Sequence, residues 1–507
     1  MTAWRIEHRS LAELPPPAWL ARLGDGRIEV TAGTSVRVEQ GGFFEGSWAG
    51  PVELATIPAA TTVFGSGIIV DRDRAVVVTP SDTLEPVYLA RQRGQLVVAN
   101  SLAALLEACA LELDPDVLYP PIFGRINRGL AEALIELPTS GAPITQLYCH
   151  NLVVTVDGTT TVTPKPVEAP FTSFADYRDR LVARTRSIFA NAPAYEPIVA
   201  LSSGYDSTAV AAIGAAAGMR RAATIRDGVP WRGYAGSSDS GAPQAAALGL
   251  ELHEFDRLAY LAADDLPEAE FLAGGMSGED VILRSLEPVL RRSILLTGFW
   301  GGALWRGHDR SELRRTDLSG ASLTDFRLRL DFIHLPLPYV GGIQQPSLRA
   351  LRRSPEMAPF SVGGEYDEPI ARRLAEEAGV PRGSFGTTKL AVSRRFHIEG
   401  LAALSPRSRA DLERFAGADA LRRLPRRPQL GRRHRLAIRL AHALRVPRLV
   451  AGLEERKRQG VHLEPLLGSL LLRWALGVVR PRYRALRAAP DDERSAYSSA
   501  KAAASVE

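Results

Sequence analysis

The chain has 507 residues, of which 45% are hydrophobic and 23% charged, an ordinary balance for a globular protein of two or three domains. It carries a net charge of +5 and only two cysteines, which excludes a disulfide framework and a cysteine-rich metal centre. The N-terminus has no hydrophobic signal segment and no apolar run approaches the ~20 residues that cross a bilayer, so we expect a cytoplasmic protein that does not enter a membrane.

The first 165 residues have the pattern of β-structure. Short apolar or alternating runs are separated by turn residues, which predicts strands within 27–33, 34–40, 61–70, 75–80, 85–100 and 151–156. The next segment, 167–177, is typical of a linker that enters a helix, with Thr172 and Ser173 as N-cap candidates and Asp176 in the first turn. We therefore predict a first domain over 1–166.

From about residue 174 short apolar runs alternate with helical segments. The strand candidates are 197–201, 221–225 and 293–298. This alternation predicts βαβ units around a parallel sheet, and so an α/β fold. Helices dominate after about residue 365, which gives a second domain over 167–489 with a helical C-terminal part. The small polar tail, 490–507, is expected to be disordered.

The stretch "PIVALSSGYDSTAVAAIG" (197–214) predicts a strand, a tight turn and a helix. Ligands of open α/β sheets bind beyond the carboxyl ends of the strands, and free N–H groups at a helix N-terminus suit a phosphate. The phosphate-loop candidates are Ser202, Ser203, Gly204 and Ser207. Asp206 would repel a bare anion there, so we interpret it as a Mg²⁺ ligand that bridges to phosphates. A capped helix start without a ligand is the alternative.

Three later segments place small or polar residues after predicted strands. Asp239 stands near a helix start, and Thr297 and Gly298 end the run "SILLTG". His334 and Tyr339 lie in "FIHLPLPYVGG".

Lys389 follows a glycine-containing turn and is one of only four lysines. A compact ammonium can stabilise negative charge that develops on a phosphate or an oxyanion. A surface lysine is the alternative at this position.

The turn after residue 201 resembles the S-G-G-x-D-S pyrophosphate loop of the N-type ATP pyrophosphatases, with Ser203 in place of the first glycine. Residues 294–307 resemble the S-G-D-G-x-D-E-L-F-G-G segment of asparagine synthetase-like enzymes. Thr297 and Gly298 match that motif, whereas Phe299 and Gly302 replace its two aspartates.

The resemblance implies roles for several of these residues. Thr297 and Gly298 would contact the nucleotide, and Lys389 would be the late catalytic lysine of the family. His334 stands where relatives carry a catalytic glutamate, and an imidazole could act as base for an attacking amine. A core histidine is the alternative, and Tyr339 is a further pocket candidate.

Residues 80–119 resemble the end of a class II glutaminase domain in the order and spacing of their motifs. This implies an N-terminal-nucleophile (Ntn) hydrolase-like αββα sandwich that packs on a PP-loop (adenine nucleotide α-hydrolase-like) domain. Thr2 replaces the nucleophilic cysteine, and the Asn-Gly-Glu motif is missing, so no glutamine hydrolysis is expected. β-Lactam synthetase-type members share this loss.

These features predict an amide-forming ligase that uses ATP and Mg²⁺ to adenylate a carboxylate of a small molecule or peptide, which an amine then attacks. Gly302 removes one metal carboxylate, and Asp309 and Glu279 are candidate substitutes. A non-catalytic nucleotide-binding or scaffold homologue and a different PP-loop adenylating chemistry stay open. The arginine-rich segment 420–486 has helical leucine and alanine spacing, which favours solvated helix faces over nucleic-acid binding. A homo-oligomer is compatible with the sequence.

Overall fold

The computed structural model describes residues 4–226, 229–230, 239–275, 278–305, 319–342, 345–363, 367–385, 390–391, 393–394, 396–417 and 465–487. Sequence predictions on Thr2, Asp309, Lys389 and the tail 490–507 lie outside these residues. Among the helices of the described part, none combines the length and apolarity that a membrane crossing needs.

Two β-sheets occupy the first 164 residues. Their strands are β1 (Arg5–Ser10), β2 (Trp19–Gly24), β3 (Arg27–Ala32), β4 (Arg37–Glu39), β5 (Gly42–Trp48), β6 (Val63–Asp71), β7 (Arg74–Val78), β8 (Val87–Gln92), β9 (Gln95–Ala99), β10 (Leu134–Leu137), β11 (Ile144–Leu147), β12 (His150–Thr155) and β13 (Thr160–Pro164). A seven-stranded sheet has the order β1-β3-β2-β9-β8-β11-β10, and a six-stranded sheet has the order β13-β12-β7-β6-β5-β4. The strand predictions for this region are confirmed.

The two sheets face each other across a common apolar core, and we call this unit the sandwich. Alternate side chains of both sheets meet there, among them Trp19, Ile28, Phe43, Val77 and Val98, all fully buried. This follows from the period of two along each strand, which sends every second side chain to the same face. The helices of this region are short.

A five-stranded parallel sheet forms the centre of the remaining chain, as the alternating pattern predicts. Its strands are β14 (Glu196–Ala200), β15 (Arg221–Ile225), β17 (Glu251–Phe255), β18 (Ser293–Thr297) and β19 (Ile333–Pro336). They are arranged in the order β17-β15-β14-β18-β19 and every neighbouring pair is parallel. A short separate pair joins β16 (Val229–Pro230) to β20 (Leu390–Ala391).

This strand order reverses direction between β14 and β18. The chain builds β14, β15 and β17 outward to one side, then returns to the other side of β14 for β18 and β19. Such a reversal separates the loops after the two central strands and opens a crevice at the carboxyl edge of the sheet. The fold therefore marks the edge after β14 and β18 as the place where a ligand could bind.

The helices of the described residues are α1 (Leu102–Cys109), α2 (Tyr119–Phe123), α3 (Phe174–Asn191), α4 (Tyr205–Ala217), α5 (Ala242–Ala247), α6 (Pro267–Leu272), α7 (Glu287–Leu290), α8 (Gly301–Leu304), α9 (Thr324–Leu330), α10 (Gln345–Arg352), α11 (Pro369–Glu377), α12 (Phe396–Glu399), α13 (Pro406–Ala416) and α14 (Pro465–Val479). Ser173 is the N-cap of α3 and accepts a hydrogen bond from the backbone N–H of Asp176, as predicted. Thr172 lies one residue earlier and donates its own N–H to the Asp176 carboxylate.

A buried arginine joins the sandwich to the rest of the chain. Arg327, on α9, donates both terminal guanidinium nitrogens to Glu45 at 2.8 and 3.1 Å and its Nε to Glu85 at 2.9 Å. All three side chains are less than 10% exposed. Since both carboxylates belong to the sandwich, this network fixes α9, and the parallel sheet beside it, against the first two sheets.

Candidate functional site

The predicted phosphate loop lies directly after β14, at the crevice edge. Gly204 is the N-cap of α4 and has no side chain with which to cap the helix. Hydroxyl groups instead organise the turn from within, because Ser207 Oγ lies 2.9 Å from Ser202 Oγ and accepts the backbone N–H of Ser202 at 3.0 Å. Thr208 donates its hydroxyl to the Gly204 carbonyl at 2.8 Å. The turn is therefore held in shape by its own side chains, which also accept the backbone N–H groups of Ser202 and Gly204.

Asp239 ties this loop to the neighbouring connection. Its carboxylate accepts the Ser203 hydroxyl at 2.9 Å, and its carbonyl accepts the Ser203 N–H at 3.2 Å. Ser202 and Ser240 form an isolated antiparallel bridge beside this contact. Burial raises the pKa of Asp239 to about 6, although the two Ser203 bonds pull it down. Asp239 lies three residues before α5, so the prediction that it stands near a helix start is confirmed.

Asp206 packs against the loop that follows β18. A Cβ built on Gly298 would lie 2.8 Å from the carbonyl carbon of Asp206 and 2.8 Å from the Ser207 nitrogen. A Cβ on Gly301 would lie 2.5 Å from Asp206 Oδ1. The two glycines thus let β18 and the N-terminus of α4 approach each other. The structure brings Gly298 and Asp206 together, as the sequence predicts for one site.

Thr297 and His334 meet on the other face of the same sheet. Thr297 Oγ1 lies 2.9 Å from His334 Nε2, and both residues are buried. Leu296, one residue before Thr297, faces α4, since it lies 3.0 Å from the position of a Cβ on Gly214. Successive side chains on a strand point to opposite faces, so Thr297 and His334 face away from α4 and toward the sandwich.

A carboxylate of the sandwich faces the second nitrogen of the same imidazole. His334 Nδ1 lies 3.8 Å from Glu85 Oε1, an ion-pair distance and longer than a hydrogen bond. Phe299 packs edge-on against the His334 ring with centroids 5.8 Å apart. His334 is therefore a buried histidine, as one alternative held, but one with polar partners on both ring nitrogens.

Tyr339 is also held by the sandwich. Its hydroxyl lies 2.8 Å from Thr83 Oγ1, and its ring stacks on Trp300 with centroids 4.5 Å apart. Trp300 follows Phe299 in the loop after β18. The predicted pocket residue Tyr339 thus lies in the same cluster as His334, with Thr83 and Glu85 of one sandwich loop against them.

Lys389 lies outside the described residues, and Phe385 is the last described residue before it. Phe385, four residues earlier, packs on Tyr205 of α4 with ring centroids 5.1 Å apart. Arg372 lies over both rings, at 5.6 Å from Tyr205 and 6.0 Å from Phe385. These contacts attach Phe385 to Tyr205, the first residue of α4.

Glu279, one of the two candidate substitutes for the missing metal carboxylate, is a buried residue. Glu279 is 8% exposed, and its carbonyl accepts the N–H of Arg394. Its neighbour Asp280 accepts the N–H groups of Gly320 and Ser322, and burial raises the pKa of Asp280 to about 6. No group of three or more His, Cys, Asp or Glu side chains arranged for a metal ion occurs within the described residues.

Sequence reasoning did not identify the sandwich residues that contact His334 and Tyr339. The sequence patterns assign no site role to Glu85, Thr83 or Arg327, and their contacts join residues more than 200 positions apart. Only the spatial packing of the two parts reveals them. No protein-family model matches the chain, and a search of curated proteins likewise finds no match.

Proposed function

We propose that the chain is an ATP-dependent ligase that adenylates a carboxylate, releases pyrophosphate and forms an amide with an amine. The amine and the carboxylate belong to a small molecule or a peptide. Glutamine is not the nitrogen source in this proposal, because Thr2 stands where glutaminases carry their nucleophilic cysteine.

One observation supports the nucleotide site above all others. The hydroxyl-lined turn Ser202–Ser207 lies at the point where the parallel sheet reverses its strand order. Helix N-termini in that position attract phosphate groups through their dipole and their N–H donors. In the proposal Ser202, Ser203, Gly204 and Ser207 hold the pyrophosphate, while Thr297 and Gly298 contact the nucleotide.

The same proposal specifies the finer fold and its domains. The sandwich over 1–166 corresponds to an Ntn-hydrolase-like unit, and 167–489 corresponds to a PP-loop domain. The two facing sheets and the doubly wound parallel sheet support this assignment. The assignment to the asparagine synthetase-like family rests on the sequence motifs. The cytoplasmic location also stays a prediction.

The residues at the crevice fit one Mg²⁺ ion that arrives with ATP. Mg²⁺ commonly binds to one or two protein carboxylates together with substrate phosphates, and Asp206 offers one carboxylate in the first turn of α4. A bound Mg²⁺ would neutralise charge on the phosphates. Gly302 supplies no second carboxylate, and a side chain at Gly301 would meet Asp206. Lys389, by its ammonium charge, is proposed to stabilise the negative charge that develops during adenylation.

A second candidate function is nucleotide binding without catalysis. It is favoured by Gly302 and by the lack, within the described residues, of a three-ligand metal cluster. A protein of this kind would bind ATP and release no pyrophosphate. A different PP-loop adenylating chemistry would release pyrophosphate without forming an amide.

Calorimetric titration with ATP, with and without Mg²⁺, tests the site directly. Asp206→Asn is expected to weaken Mg²⁺-dependent ATP binding about tenfold or more, since a carboxylate ligand is lost. Asp71→Asn is a control, because Asp71 is an exposed carboxylate at the end of β6 in the sandwich, where it pairs with Arg74 on the surface. Equal ATP affinity in wild type and Asp206→Asn would refute the site. Pyrophosphate release with a panel of carboxylates then separates a ligase from a protein that only binds nucleotide.

A further inference from the structure

Three buried side chains next to the crevice line up as a carboxylate, an imidazole and a hydroxyl. Glu85 Oε1 lies 3.8 Å from His334 Nδ1, and His334 Nε2 lies 2.9 Å from Thr297 Oγ1. The three side chains come from the sandwich, from β19 and from the end of β18. In catalytic arrays of this order, an anion orients an imidazole, and the imidazole accepts a proton from a hydroxyl.

The charge on Glu85 is held in place by its other neighbours. Burial opposes ionisation of Glu85, but Arg327 at 2.9 Å and His334 outweigh it and hold the pKa of this carboxyl below its usual range. An anion beside Nδ1 favours the tautomer with its proton on Nδ1, which leaves Nε2 as the acceptor for the Thr297 hydroxyl. Asp280 is a second carboxyl whose charge interacts with His334.

Thr297 places the end of this array next to the proposed nucleotide site. It is the last residue of β18 and precedes Gly298, which packs directly on Asp206. The array lies on the sandwich face of the parallel sheet, and α4 lies on the opposite face. A substrate at the carboxyl edge would therefore have the phosphate loop on one side and the Thr297 hydroxyl on the other.

We propose that Thr297 and His334 form a proton relay for the attacking amine and that Glu85 is its positioning residue, an inference that rests on the proposed ligase function. The amine nitrogen bonds to the acyl carbon of the adenylate, and the bond from that carbon to the AMP oxygen breaks. The amine proton passes to Thr297 Oγ1 while the hydroxyl proton passes to His334 Nε2. The resulting imidazolium is stabilised by Glu85, and AMP leaves with its negative charge.

The proposal assigns the sandwich a part in catalysis without any hydrolysis of glutamine. Glu85 would couple the two parts of the chain, because it binds Arg327 of α9 and faces His334 at the same time. Its carboxylate would act only through the imidazole, whereas Thr297 is the group that would touch the substrate.

The tautomer of His334 tests the array without any substrate. The full chain is labelled with ¹⁵N-histidine, and the His334 ring signals are assigned by their loss in His334→Gln. Wild type is expected to carry the proton on Nδ1 and to leave Nε2 bare. Glu85→Gln is expected to shift the ring toward the other tautomer, whereas Glu45→Gln is not. Both variants remove one carboxylate from Arg327, but only Glu85 faces His334. A wild-type ring protonated on Nε2, or an identical response to both substitutions, would overturn the array.

The two half-reactions separate this inference from the proposed function. ATP–pyrophosphate exchange is measured with amino acids and short peptides that carry a carboxylate and an amine, followed by amide formation with the probe that supports exchange. Thr297→Val should lower amide formation about 10²-fold more than it lowers the exchange, and Thr297→Ser should restore most of the amide formation because the hydroxyl returns. Amide formation by Thr297→Val at the wild-type rate would refute the relay. Absence of exchange in the wild type would instead refute the ligase function, and the relay with it.

Discussion

At the scale of single residues, the least expected feature is a buried lysine. Lys165 is 3% exposed and donates its amine to the Thr79 carbonyl at 2.6 Å and to Asn151 Oδ1 at 2.7 Å. Burial lowers the pKa of Lys165 to about 7, while the nearby Cys149 and Asp82 oppose that shift. Much of the amine is therefore neutral at physiological pH, which explains why neutral oxygens suffice as its partners.

Replacement of Lys165 by methionine should change how the stability depends on pH. Between pH 7 and 9 the folded wild type holds fewer protons on this amine than the unfolded chain, whose lysine pKa is about 10.4. The free energy of unfolding should therefore rise with pH in this window, by about 2 kcal/mol, and Lys165→Met should lose that rise. Urea unfolding of both proteins at pH 7 and pH 9 measures the difference.

Titration of the nearby Asp82 carboxyl adds little to the change in stability between pH 7 and 9. Burial raises the pKa of Asp82 to about 7, so its contribution lowers the stability as the pH rises from about 4 to 7 and is nearly constant above that range. Parallel pH profiles for wild type and Lys165→Met above pH 7 would contradict a neutral buried amine.

At the scale of elements, the approach of β18 to α4 depends on a residue without a side chain. Gly298→Ala should place a methyl group 2.8 Å from the backbone of Asp206 and Ser207, which cannot yield as a flexible side chain would. We expect a loss of about 1–3 kcal/mol in the free energy of unfolding. The loss in the free energy of ATP binding should be larger than this loss of stability, because the phosphate loop must move.

Gly41→Ala is the matched control for this substitution. A Cβ at Gly41 would meet no atom within 4 Å, so the same change in chemistry should leave the stability within about 0.5 kcal/mol and ATP binding unaltered. Thermal unfolding and ATP titration of the two variants provide the comparison. Equal behaviour of the two alanine variants would mean that the contact between β18 and α4 does not shape the loop.

The elements themselves follow largely from local patterns in the sequence. Apolar runs such as "PIVAL" and "SILLT" form β14 and β18, and the turn "SSG" joins β14 to α4 in the predicted strand, turn and helix. These features depend on residues that are close along the chain. By contrast, the partners of His334 depend on packing between distant segments, so sequence reasoning could name the histidine and not the carboxylate beside it.

At the scale of the whole molecule, the joint between the sandwich and the parallel sheet holds a charged network in place of a purely apolar surface. Arg327 is 4% exposed and bridges Glu45 and Glu85. A buried ion pair gains little over a well-packed apolar contact, but the removal of one member leaves the other charge without compensation. The relative position of the sandwich and the parallel sheet therefore depends on the balance of charge between Arg327 and its two carboxylates.

Arg327→Met should accordingly be among the most destabilising single substitutions in the chain. It leaves two carboxylates buried without their cation, and we expect the free energy of unfolding to fall by about 3–5 kcal/mol. Arg74→Met is the control, since Arg74 pairs with Asp71 at 2.7 Å on the surface, where such pairs contribute less than about 1 kcal/mol. Urea unfolding followed by tryptophan fluorescence measures both, and Trp19 in the sandwich and Trp305 beside the parallel sheet both lie in buried positions.

In the triple variant that also carries Glu45→Gln and Glu85→Gln, part of the lost stability should return, because no buried charge is left unpaired. If Arg327→Met unfolded at the wild-type urea concentration, the two parts would be held together by their apolar contacts alone.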